Sequence, residues 1–257
     1  MFPLRDENPT NLAPIITLLL IGANVAVWIW VQGAGLQLAV LAESVCQWGT
    51  IPAELTASAP AGAQIRLDPS LPPCRLGGAT FSTAFTSMFL HGGWLHLIGN
   101  MWFLWIFGNN VEDSMGHLRF VVFYVLCGLA ADLGHILAGP DSLIPTVGAS
   151  GAISGVMGAY LVFYPHVRIH TLFFFFIFYR IVPIAAWFIL LLWFGLQVLS
   201  GTATRVGDGG GVAFWAHIGG FVMGVVLAKL FENRVLVDAH RRKVHLSSRQ
   251  IQHGGWW

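Results

Sequence analysis

Hydrophobic residues fall along this chain in six long runs, separated by short polar connections and one long one. The first run, Ala13 to Gln32, holds no charged residue and is long enough to cross about 30 Å of hydrocarbon. Residues 33–80 then break the pattern with Glu43, Glu54, Arg66, Asp68, Arg75 and a middle rich in Pro, Ala and Gly. A connection of that length is more often functional or interfacial than a plain link. Within it, Leu36 to Val45 is apolar but too short to span, and it reads as lying in the membrane interface. Further spanning helices are predicted at 82–107, 118–138, 149–164, 182–200 and 212–231. A turn, Gly108–Gly116, carries Glu112 and Asp113 between the second and third helices, and Gly139–Val147 is a loop with two prolines. The fourth helix stops before Pro165 and is short for a span, so Ser150 at its start is expected in a recess below the membrane surface. Residues 165–181, with Arg168, Arg180 and a run of Phe, read as interfacial, and 201–211 as a Gly-rich loop. The expected fold is an all-α membrane protein. A polar segment (1–12) precedes a six-transmembrane-helix bundle (13–231) with its long loop between helices 1 and 2, and a polar, basic tail (232–257) follows.

Composition agrees with the pattern. The chain is 56% hydrophobic and 10% charged, against about 25% charged in soluble domains, and has 11 Trp and 19 Phe. A net charge of +1 argues against nucleic acid as a partner, because phosphate binding needs a clustered basic surface. Of the three cysteines, Cys46 and Cys74 sit in the long loop and Cys127 in an apolar run. Their spacing is not that of metal ligands. If the loop faces an oxidising compartment, Cys46 and Cys74 can pair; two free thiols are the alternative. The first apolar run has no basic segment before it, so it reads as a retained anchor and not a cleaved signal.

Six spans put both termini on one side. Arg5, Arg119, Arg168, Arg180, Lys229, Arg234, Arg241, Arg242, Lys243 and Arg249 fall on that side, and Arg66, Arg75 and Arg205 on the other. The positive-inside rule then places both termini in the cytoplasm of a cell (plasma or inner) membrane and the long loop outside. Helices 4 and 6 run from outside to inside. Ser150 starts the first of them, and His217 lies about five residues into the second, roughly 8 Å down at ~1.5 Å per residue.

Candidate chemistry lies on those two helices. Gly151, Gly155 and Gly158 follow Ser150 at i, i+4, i+7 spacing, and Ala213, His217, Gly220 and Gly224 share one face of helix 6. Small-residue faces let membrane helices approach closely. A serine in such a helix is more often a packing residue, but an ionisable residue within a span is usually functional. Together the two faces suggest Ser150 as a nucleophile and His217 as its general base. This is not the Gly-x-Ser-x-Gly elbow of soluble hydrolases, since Ala152 stands in the last position. His96 and Asn100, at i, i+4, offer donors for an oxyanion hole beside the Ser150 N–H. His91 lies toward the external end, where it lines a water entrance or bonds a loop. Asp132 and His135 read as a solvated polar patch near a helix end; nothing in the pattern places helix 3 against helix 6, as a third triad member would need. The tail histidines His240, His245 and His253, beside Arg241–Lys243, read as a solvated cytoplasmic segment with a weak contact to anionic lipid.

The set His91, His96-x-x-x-Asn100, Gly148-Ala149-Ser150-Gly151 and Ala216-His217-x-x-Gly220 resembles the rhomboid intramembrane serine proteases in their compact prokaryotic six-helix form. The resemblance covers nearly all of 13–231, including Phe107-Gly108-Asn109-Asn110-Val111-Glu112-Asp113. It implies a Ser150–His217 dyad without an acidic third member and an oxyanion site from His96, Asn100 and the Ser150 N–H. It implies a serine endopeptidase with no metal or organic cofactor, whose partners are transmembrane protein substrates and the lipid bilayer. It also implies that helix 5 and the loop 201–211 act as gate and cap. Two departures stand out. Some members carry an aromatic one turn after the serine, stacked on the catalytic histidine; here the position is Ser154, which bonds nearby or leaves room for an aromatic from elsewhere. The Trp-Arg pair of some members' first loop has no counterpart in residues 33–80. The rival readings are a non-catalytic rhomboid-like protein that binds transmembrane segments, and a small transporter. The first normally lacks the nucleophile or the base; the second would be favoured by an inverted repeat, and none is visible.

Overall fold

Each of the six apolar runs contributes a helix, but their ends and the connections between them are set by polar contacts that link distant parts of the chain. The computed structural model describes residues 2–60, 62–71, 73–76, 80–175, 178–204 and 212–241. In chain order these form β1 (Phe2–Asp6), α1 (Ile15–Trp30), α2 (Leu38–Trp48), α3 (Pro52–Leu55), β2 (Gln64–Ile65), β3 (Cys74–Arg75) and α4 (Thr83–Thr86). Then come α5 (Trp94–Met115), α6 (His117–Ala138), α7 (Ser150–Phe163), β4 (Arg168–Phe175), β5 (Phe178–Ala185), α8 (Ala186–Ala203), α9 (Phe214–Phe231) and α10 (Arg234–Arg241). Among the described residues, three helices, α6, α8 and α9, are long and apolar enough to cross a membrane by length and composition; α1, α2 and α7 are apolar but shorter.

The fold is predominantly helical, as expected, and it also holds two small sheets that the pattern does not predict. β1, β4 and β5 form an antiparallel sheet in that order, and β2 pairs with β3. The segment 165–181 is mostly hairpin, and it takes residues 182–185 from the expected fifth helix. The hairpin shows no period-2 pattern because β5 is exposed on both faces from Phe178 to Ile181, so apolar residues alternate with nothing.

The second long helix also differs from its expected bounds. It begins at Trp94, after α4 and a 3₁₀ turn over Ser87–Phe89, and runs to Met115 through the expected turn. Glu112 and Asp113 are buried there because they cap another helix. Glu112 accepts from the Ile16 and Thr17 amides (2.9 and 2.8 Å) and the Thr17 hydroxyl (2.7 Å), and Asp113 accepts from the amides of Asn11 and Leu12. α1 has no cap of its own, so α5 satisfies its free N–H groups and places negative charge at its positive end. The real break comes at Gly116, whose φ of +81° joins α5 to α6 through one left-handed residue.

At the same end, Asp6 accepts from Asn110 Nδ2 and the Tyr160 hydroxyl, each at 2.7 Å. The Asn233 amide donates to the Ser114 carbonyl. The N-terminal strand, the α5–α6 junction, the hairpin and α10 are thereby gathered at one end. At the start of the tail, Leu236 and Val237 of α10 are buried. Arg242, Lys243, His245, Arg249 and His253 lie outside the described residues, as does 205–211 of the expected cap loop. The side chains of His240 and Arg241 are likewise outside them.

α7 is the centre of the packing, with every residue from Gly151 to Tyr160 buried. Its glycine face meets α9: a β-carbon at Gly220 would overlap the Gly151 carbonyl oxygen, and one at Gly224 that of Gly155. α6 also packs on α9, since a β-carbon at Gly219 would stand 2.9 Å from the Ala130 oxygen. Cys46 and Cys74 form a disulfide with 5.8 Å between Cα atoms, which ties α2 to β3, and Cys127 is free and buried.

Candidate active site

Ser150 is the first residue of α7, and the approach to it is held from three sides. Thr146 pairs with Thr50 through both backbone bonds, 2.7 and 3.0 Å, and the Gly148 amide donates to the Ser87 carbonyl at 2.9 Å. Gly148 has a φ of +127°, and a β-carbon there would stand 2.8 Å from His96 Cε1 and Nε2. Only glycine fits both the backbone angle and the space. The chain therefore turns into α7 with the Ser150 side chain facing α9. Its Oγ lies 2.8 Å from Nε2 of His217.

The other ring nitrogen of His217, Nδ1, lies 2.8 Å from Oε1 of Gln197 on α8. An amide oxygen only accepts, so Nδ1 carries the proton of the neutral ring and Nε2 presents a lone pair to the serine. Trp193, one turn before Gln197, lays its ring against the imidazole with 5.8 Å between centroids. Ser154 is buried, and its hydroxyl donates to the Ser150 carbonyl at 2.6 Å. Ser154 thus bonds within its own helix, and the aromatic on His217 comes from α8.

His96 sits on the far side of Gly148. Its Nδ1 accepts from the Gly92 amide at 3.2 Å, which leaves Nε2 as the protonated nitrogen, at the ring edge beside Gly148. Asn100 is buried one turn further along α5 and donates one amide hydrogen to the His96 carbonyl at 3.0 Å. The second hydrogen of that amide remains for another acceptor. A hydroxyl facing an unprotonated imidazole nitrogen, with the His96 ring edge beside Gly148 two residues before it, is an arrangement suited to acyl transfer.

The family model for the Rhomboid domain matches residues 78–234, more than half of the chain. This chain belongs to the rhomboid family. Among curated relatives it is similar to RHOMBOID-like protein 5 of Arabidopsis thaliana, with 36% identity over 104 residues, 37% of this chain and 34% of that one. It is 32% identical to Rhomboid protein 1, mitochondrial, of Saccharomyces cerevisiae over 160 residues, 61% of this chain and 43% of that one. It is 38% identical to Rhomboid protease GluP of Bacillus subtilis over 76 residues, 30% of this chain and 14% of that one. The chain spans less than half the length of each of these relatives.

His91, Asp132 and His135 of this rhomboid are all buried. His91 does not line a water entrance: it is fully buried, edge-on to His96 with 5.1 Å between ring centroids. Its backbone N–H and C=O are both held by the Gln32 side-chain amide at 2.8 Å, which pins the loop to the end of α1. Asp132 and His135 are not a solvated patch, for both are buried. α6 packs against α9, which the sequence pattern did not show, yet Asp132 bonds elsewhere. One carboxylate oxygen accepts from Thr50 Oγ1 at 2.9 Å and Ser87 Oγ at 3.2 Å. Those two residues hold the strand that leads into Ser150. Among the described residues no group of three or more His, Cys, Asp or Glu is arranged to hold a metal ion.

Gln197 and Trp193 were not legible as site residues. The available signal was weak: Gln197 is the one amide in the apolar run 182–200, with an aromatic four residues before it.

Proposed function

We propose that this rhomboid is an intramembrane serine endopeptidase that cleaves membrane-anchored proteins in or near a transmembrane segment. The observation that carries the proposal is the 2.8 Å separation of Ser150 Oγ and His217 Nε2 across the glycine faces of α7 and α9. Membership of a family with relatives named as proteases supports it.

In this reading α1, α5, α6, α7, α8 and α9 cross the cell membrane, both termini are cytoplasmic, and the site opens to the external side. A substrate segment enters past α8 and unwinds to expose a peptide bond. Ser150 Oγ attacks the carbonyl carbon while its proton passes to His217 Nε2. The carbonyl oxygen takes the negative charge and is met by His96 Nε2–H, Asn100 Nδ2–H and the Ser150 amide. His217 then gives the proton to the leaving amine, and water from the external side hydrolyses the acyl-enzyme. The chemistry needs no cofactor, since the base, the nucleophile and the oxyanion donors are all side chains or backbone.

The test is cleavage of a single-span substrate reconstituted in liposomes, compared among wild type, Ser150→Ala and His217→Ala with equal folding verified. The proposal expects cleavage by wild type alone. Equal cleavage by Ser150→Ala would sink it.

A further inference from the structure

We infer that Gln197 is a positioning residue for His217, so that the working unit is Ser150–His217–Gln197 and not a pair. The inference rests on the hydrolase reading and adds a member to it. A neutral imidazole carries its proton on one nitrogen or the other, and only the tautomer with a bare Nε2 can take the proton of Ser150. In water the two forms interconvert freely. Here the Gln197 amide oxygen stands 2.8 Å from Nδ1, so the hydrogen is held on that side and Nε2 is kept bare, 2.8 Å from Ser150 Oγ. The two bonds grip opposite corners of the imidazole, and Trp193 leans against it with 5.8 Å between centroids and 37° between ring planes.

The chemistry explains why an uncharged acceptor suffices. When Ser150 Oγ bonds to the carbonyl carbon, its proton moves to Nε2 and the ring becomes an imidazolium. The positive charge is shared with Nδ1–H, and the amide dipole of Gln197 faces it with its negative end. Asp132, the buried carboxylate of α6, takes no such part because it accepts from Thr50 and Ser87. Gln197 and Trp193 stand four residues apart on α8, hence on one face. The helix by which substrate enters in the functional reading is therefore also the helix that orients the base. A displacement of α8 that removes Gln197 from Nδ1 leaves His217 free to turn away from Ser150.

The first measurement uses the unaltered protein, selectively ¹⁵N-labelled at histidine, in lipid bilayers at neutral pH. The His217 signals, assigned by their loss in His217→Ala, are expected to show a protonated Nδ1 and an unprotonated Nε2; a protonated Nε2 overturns the inference. The second compares the rate at which a fluorophosphonate labels Ser150 in wild type, Gln197→Leu and Gln197→Glu. Gln197→Leu is expected to label about 10- to 100-fold more slowly, the loss of one buried hydrogen bond in the reacting state. Gln197→Glu keeps an acceptor oxygen in place and is expected to restore labelling to within about threefold of wild type. In cleavage of a single-span substrate the Gln197→Leu defect is expected in kcat, with KM unchanged. Labelling of Gln197→Leu at the wild-type rate, or Gln197→Glu no better than Gln197→Leu, overturns the role of Gln197 alone. A wild-type chain that takes no label at Ser150 overturns the hydrolase reading, and this inference with it.

Discussion

Gly220 of α9 lies on the carbonyl oxygen of Gly151 in α7, with no room between them for a methyl group. Ser150 immediately precedes Gly151, and His217 comes one turn before Gly220, so this contact sets the distance between hydroxyl and imidazole. Gly220→Ala is expected to force α7 and α9 apart, to lower stability by about 1–3 kcal/mol and to reduce labelling of Ser150 sharply. Gly224→Ala overlaps Gly155 one turn deeper and is expected to cost similar stability with a smaller loss of labelling. Gly22→Ala is the control: a β-carbon there meets nothing within 4 Å, and both properties should hold. Thermal unfolding in detergent beside probe labelling reads all three.

Asp132 gives a prediction that separates a structural acid from a triad acid. Its oxygen gathers Thr50 and Ser87, and these in turn hold Thr146 and Gly148 ahead of Ser150. Asp132→Ala is expected to loosen that approach and lower kcat roughly 10- to 100-fold through misplacement of the serine. Asp132→Asn keeps an acceptor oxygen for both hydroxyls and should stay within about threefold of wild type. A triad acid would instead lose about 10⁴-fold on the same change to Asn.

At the other end of the bundle, Glu112→Ala removes the acceptor for two amides and one hydroxyl of the first turn of α1. Leaving such groups buried without partners costs about 1–3 kcal/mol each. A fall in the thermal midpoint is expected, with labelling of Ser150 unchanged at a temperature where the variant remains folded. Glu112→Gln, which keeps one acceptor oxygen, should fall between wild type and Glu112→Ala.

The disulfide closes 28 residues of the first loop. Loop-closure entropy predicts that Cys46→Ser lowers stability by about 3.5 kcal/mol, read as a drop in thermal midpoint equal to that caused by reductant on wild type. The same bond predicts thiol content. Native oxidised protein should take up no alkylating agent, since Cys127 is buried, and one equivalent once unfolded.

How far the sequence carried these conclusions depended on what kind of signal each feature left. Ser150, His217 and the glycines between them were legible because helical spacing and small size are local properties, and the start of α7 fell within one residue of its expected place. The extent of α5 was not. Gly108, Asn109 and Asn110 favour a turn locally, but the carboxylates that follow have a task on α1 almost a hundred residues away, and that task keeps the segment helical. The hairpin was hidden because β5 carries exposed apolar residues on both faces, which removes the alternation by which strands are read. Gln197 was hidden for a third reason: its partner is on another helix, and no spacing within α8 marks an amide that reaches a histidine.

The site at which a fluorophosphonate attaches, found by mass spectrometry of the labelled, purified chain in liposomes, reports directly on which residue is the nucleophile. The adduct is expected on Ser150 alone in wild type, at least 100-fold slower to form in His217→Ala, and absent in Ser150→Ala. Labelling that persists in Ser150→Ala, or that proceeds in His217→Ala at the wild-type rate, would contradict the assignment of Ser150 as nucleophile and His217 as its base.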